Sequence, residues 1–96
     1  MGFFIGFCMV GGDVLSRVVS FCRNHHVKHA YVGKSLTSDR EVLELVASPG
    51  HEDSVHDAFF DEFFGKDTNL TYRVYDPSDT LDSRFCDPAT RKPVFP

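Results

Sequence analysis

The chain has 96 residues, 42% of them hydrophobic and 25% charged, with a formal net charge of −4. That is enough for one hydrophobic core but not two, and the composition excludes a disorder-dominated chain. The charge is concentrated: from Glu52 to Asp67 there are six acids against the single base Lys66, while the remainder is close to balanced. Such a distribution argues against direct nucleic-acid binding through that segment.

The stretch Phe3 to Val10 reads as a buried strand, and at eight residues it is too short to span a bilayer. It lacks the basic flank and small-residue cleavage site of a secretory signal, so a cytoplasmic or other reducing intracellular compartment is expected, without membrane attachment. The three cysteines, Cys8, Cys22 and Cys86, cannot all pair within one chain and are expected as reduced, mostly buried thiols. Gly11-Gly12 then turns the chain and Asp13 is placed to cap a helix from Val14 to about His25. Its expected apolar face is Val14, Leu15, Val18, Val19 and Cys22.

A second strand is expected from Val27 to Ser35. Ser38 to Ala47 carries two signals: Ser38-Asp39-Arg40-Glu41 fits a helix capping box, whereas the short aliphatic run Val42, Leu43, Leu45, Val46 before Ser48-Pro49-Gly50 fits a strand, the reading preferred here. A second helix follows, capped by Asp53 or Ser54. Val55, Phe59 and Phe63 form its apolar stripe, widened by Ala58, Phe60 and Phe64, and Gly65 stops it. Asn69 to Tyr75 alternates as a strand. The last twenty residues hold four of the five prolines and are expected as an irregular, extended or disordered tail, giving a domain over 1–76 and a tail over 77–96.

The order β-α-β-β-α-β suits an α+β ferredoxin-like sandwich, an antiparallel sheet with both helices on one face. Its open face would carry Val42 and Val46 or their register neighbours, and self-association as a homodimer through that face or a sheet edge is expected.

Three constellations could carry chemistry. Cys22, His25, His26 and His29 combine thiolate and imidazole at helical spacings suited to zinc or copper, but the helix ends among them and Cys22 belongs to its inner face. Core cysteine and helix-end histidines are therefore the reading adopted, with no metal or cofactor. Gly11, Gly12 and Asp13 form a strand-to-helix turn whose free N–H groups could meet a ligand, with Asp13 favouring an amine or a cation. Asp53, Asp57 and Asp61 repeat at four-residue intervals with Glu62 beside them, an acidic helix exterior able to dock on a basic protein surface.

A thiol enzyme would need an accessible sulfur beside a base, and no serine elbow, kinase loop or zincin helix is present, so a non-enzymatic module is expected. Its expected role is regulatory: it would bind a protein partner, in one variant as an inhibitor occupying a nucleic-acid-binding groove with its carboxylates. The opening strand, Gly-Asp turn, helix and strand resemble the first half of an ACT or PII-type regulatory domain. That resemblance implies a small-ligand sensor with Gly11, Gly12 and Asp13 at the ligand. Residues 11–15 and 27–36 are also similar to the opening of the PPC domain, whose later Gly-Gly-His-Leu motif has no counterpart in this chain.

Overall fold

The computed structural model describes residues 12–38, 40–63 and 71–95. The expected first strand, Phe3 to Val10, Gly11, and Phe64 to Leu70 lie outside the described residues. Helix α1 is Gly12–Asn24, β1 Val27–Lys34, β2 Glu41–Ala47, α2 Glu52–Phe63, β3 Thr71–Tyr75 and β4 Lys92–Phe95, with one 3-10 turn at Pro88–Thr90. The protein is α+β, and its described residues form two helices and a four-stranded mixed sheet in the order β3-β2-β1-β4.

Each element follows from its own residues. The segment with two signals is a strand: in β2 every residue from Val42 to Ala47 is buried, as β-branched and aliphatic side chains on both faces of a central strand should be. It pairs antiparallel with β1, from Lys34 opposite Glu41 to Val27 opposite Ala47, with a bulge between Val27 and His29. The Ser48-Pro49-Gly50 break ends it. Gly50 takes φ +79°, a left-handed conformation that suits glycine, and His51 leads into α2, whose Ser54 Oγ donates to the His51 carbonyl at 3.0 Å.

Both helices lie on one side of the sheet. Val18, Phe21 and Cys22 of α1 and Val55, Phe59 and Phe63 of α2 form one core with Ala30, Leu43, Leu45 and Ala47. The Phe21 ring meets Phe59 and Phe63 edge-on, centroids 5.2 and 6.1 Å apart, which joins the helices to each other as well as to the sheet. Phe21 is absent from the apolar face expected for α1, where Val19 stood instead; Val19 is only half-buried, because the face that meets α2 is rotated from the one that the valine spacing suggests.

Two expectations about the sheet need correction. It is mixed rather than antiparallel: β2 and β3 are neighbours and run parallel, Val42 opposite Thr71 through Val46 opposite Tyr75. A ferredoxin-like sheet would insert another strand between them, whereas here α2 is the crossover between adjacent parallel strands. The C-terminal segment, expected as an irregular tail, also supplies β4, antiparallel to β1 at the sheet edge. Pro93 is tolerated at an edge, where no ladder donor is demanded of its nitrogen.

Residues between β3 and β4 lie across the face opposite the helices. Asp87 N–H donates to the Lys34 carbonyl at 2.7 Å, and Lys34 N–H donates to Thr90 Oγ1 at 2.9 Å. Val42 and Val46, expected on an open sheet face, are buried. Among the described residues no helix is long and apolar enough to cross a membrane.

Candidate functional site

The expected acidic residues stand on the outer side of α2. Asp53, Asp57 and Asp61 are exposed and Glu62 is half-buried, while the helix turns Val55, Phe59 and Phe63 inward. Helical geometry spaces the three aspartates along one face with an axial rise of about 6 Å per step. The helix carries no lysine or arginine, and His56 Nδ1 lies 3.8 Å from Asp57 Oδ1.

Two features of this face were not foreseen. Phe60, expected to widen the inner stripe, is 51% exposed, because the i, i+4, i+7 relation of Asp53, Asp57 and Phe60 sets the ring among the carboxylates. The patch also extends beyond the helix. Partial burial, and then the carboxylates of Asp76, Asp79 and Asp53, raise the Glu52 carboxyl above its ordinary value, so the turn after β3 adds its acids to the start of α2. That turn is held by its own bonds, with Asp76 N–H donating to Asp79 Oδ2 at 3.0 Å and Ser78 N–H to Asp76 Oδ2 at 3.1 Å.

Comparison of the chain with protein-family models, with curated proteins and with solved structures finds no match. The site must be read from its own chemistry.

The other two expected constellations fare differently. Gly11 lies outside the described residues, Gly12 opens α1, and Asp13 is exposed in its first turn. Cys22 is buried against the core, and burial pushes its thiol up to about 12. His25 stacks on Phe21, with ring centroids 4.1 Å apart, and His26 on His51 at 3.9 Å. Among the described residues no group of three or more His, Cys, Asp or Glu side chains is arranged to hold a metal ion.

The most organised polar cluster lies elsewhere. Glu44, in the middle of β2, has no solvent exposure. Arg91 grips it from two sides, Nε to Oε1 at 2.7 Å and an Nη to Oε2 at 3.3 Å, and Tyr75 Oη donates to Oε2 at 3.2 Å. The Tyr75 oxygen in turn accepts from Asp82 N–H at 3.3 Å, and Asp82 pairs with Arg73 at 2.9 Å. The Arg73 guanidinium lies over the rings of Tyr75 and Phe85, 5.6 and 5.5 Å from their centroids. Hydrogen bonding to Glu44 holds Arg91 above its ordinary value, and burial pushes Tyr75 up.

Cys86 completes the cluster, its sulfur packed on Gly33, with burial and then the Glu44 charge raising its thiol. A thiol held protonated makes a poor nucleophile, and the bonds of the cluster fasten the C-terminal segment to the sheet. The sequence held one signal for it: Glu44 is the single charge between Val42 and Ala47, and a charge inside a fully buried strand must find a partner.

Proposed function

We propose that the protein is a non-enzymatic binding module that docks a basic protein surface through the exposed face of α2. The observation that carries this reading is the Phe60 ring, 51% exposed and set among Asp53 and Asp57 on one helical face, with the acids of the turn after β3 close to Glu52. An aromatic anchor inside a charged surround is the anatomy of an interface centre, where the ring supplies the affinity and the charges supply steering and orientation. A bare phosphate mimic would have no use for the ring, so a protein surface with an apolar depression and a basic rim is the occupant favoured over a nucleic-acid-binding groove. Partner-binding residues are Asp53, Asp57, Asp61 and Glu62, with Phe60 added. This use of the face requires only two helices on one side of a mixed sheet, and not a ferredoxin-like strand order.

The test is affinity capture of protein partners by the native chain, by the D53K/D57K/D61K variant and by Phe60→Ser, each shown to fold by circular dichroism. Partners held by the native chain and lost from both variants support the reading; a partner set unchanged by charge reversal refutes it.

A further inference from the structure

A groove of about 480 Å³ runs between α1 and the edge strand β4, lined by Leu15, Ser16, Val19, Arg23 and Val94. Among the described residues its walls are the aliphatic Leu15, Val19 and Val94 with Ser16, and the charged one is a base, Arg23, in the last turn of α1. The Phe60 face of α2 has the opposite character, a half-exposed aromatic ring on one face with carboxylates, on a helix without a single lysine or arginine. The two features are complementary in polarity and in sign, a ring for an apolar groove and acids for an arginine.

One chain cannot join them to each other. Helix α1 packs against β1 and β4 and α2 against β2 and β3, and β4 and β3 are the opposite edges of the sheet. Nor can two acidic faces meet symmetrically, because that pairing would oppose like charges around both rings. The arrangement left sets the face of one copy on the groove of another, either reciprocally about a twofold axis or head to tail.

We infer that the occupant of this groove is Phe60 of a second copy of the chain, with Asp57 and Asp61 of that copy meeting Arg23, so that the protein self-associates face to groove. This rests on the reading of the α2 face given above and names the partner for it. A reciprocal pair uses both grooves and both faces and stops at a dimer, whereas a head-to-tail contact leaves one groove and one Phe60 face unused at the ends of any open assembly and either continues with concentration or closes into a ring. The contact differs from the sheet-face homodimer expected from sequence, since Val42 and Val46 are buried.

The experiment is sedimentation velocity on the intact chain over a wide concentration range at low and high salt. The native protein is expected to sediment as species larger than a monomer, more so at low salt. Phe60→Ser should weaken association by about thirtyfold, the change expected on removing a hot-spot aromatic. Arg23→Glu and the D57R/D61R variant should each associate poorly alone and regain mixed assemblies when combined, because the altered groove then meets the altered face. Rescue in trans is a result that a folding defect cannot produce. A native chain that stays monomeric throughout, association indifferent to Phe60→Ser, or absence of rescue overturns the inference. Binding of poly-lysine in the same buffers separates the two readings: a monomeric chain that binds it, and loses it in D53K/D57K/D61K, keeps the docking face while removing the second copy as its occupant.

Discussion

Replacing Arg91 by methionine is the sharpest perturbation of the fold. It retains an apolar stem of similar reach and removes both guanidinium bonds to Glu44, leaving a carboxylate with no solvent exposure and two neutral partners, the Tyr75 hydroxyl 3.2 Å away and the Cys86 thiol. Breaking a buried pair in this way costs about 3–5 kcal/mol, most of it from the stranded charge. The Arg91 side chain is 18% exposed, so water can reach part of the vacated position and the lower end, about 3 kcal/mol, is expected. For a chain of this size the total stability is about 5–14 kcal/mol, and the loss corresponds to a fall in Tm of at least about 12 °C.

Urea unfolding followed by far-ultraviolet circular dichroism measures it, with an unchanged slope against denaturant as the control for an intact unfolded state. The double variant E44M/R91M removes the stranded charge and should recover most of the loss, since well-packed apolar replacements of a buried pair are often neutral. An R91M variant within about 0.5 kcal/mol of the native chain, or a double variant no more stable than R91M, would refute the argument that Arg91 is what holds Glu44 in the core.

Gly33→Ala should destabilise by about 1–3 kcal/mol, because its Cβ collides with Cys86 Sγ and comes within 3.1 Å of Thr90 Oγ1; adding Cys86→Ala should relieve part of this in thermal melts. Glu52→Gln should raise Tm at neutral pH. A carboxyl whose folded pKa lies above its unfolded one favours the fold only when protonated, so the benefit of the neutral variant disappears as pH falls below the ordinary glutamate value of 4.5. Asp82 behaves oppositely: the Arg84 N–H and then the Arg73 guanidinium hold its carboxyl low, so its contribution is present above 3.8 and is lost on further acidification, and Asp82→Asn should flatten the acid limb of a pH–Tm curve. In a Cys8→Ala background neither Cys22 nor Cys86 should react with a disulfide reagent at pH 8 until denaturant is added, since both are buried and both thiols are raised.

What could be read from the sequence was whatever depends on near neighbours. The three-to-four spacing of Val55, Phe59 and Phe63 placed the inner face of α2, and the β-branched run before Ser48-Pro49-Gly50 gave β2. Strand adjacency depends instead on where an element comes to rest, and no local pattern distinguishes a split βαβ unit from the direct parallel pairing of β2 with β3. Four prolines marked the C-terminal segment as irregular, yet its anchors are single contacts spread over a long separation, Cys86 on Gly33 and Arg91 on Glu44. Phe60 was misplaced for a different reason. Four phenylalanines in six residues look like one apolar block, but a helix turning 100° per residue cannot bury all of them.

The same geometry ties fold to proposed use. With Glu44, Tyr75 and Arg91 fastening the residues after β3, the turn bearing Asp76 and Asp79 is fixed near the start of α2, where it raises Glu52. The buried network therefore sets the charge presented by an exposed face on the other side of β2. Loosening it with R91M should leave Asp53, Asp57, Asp61 and Phe60 on their helix but release the acids of the turn. Partner binding measured at a temperature where R91M is still folded should then weaken less than in D53K/D57K/D61K and more than in Glu52→Gln. Equal binding by R91M and the native chain would mean that α2 alone makes the contact and that the network serves only the fold.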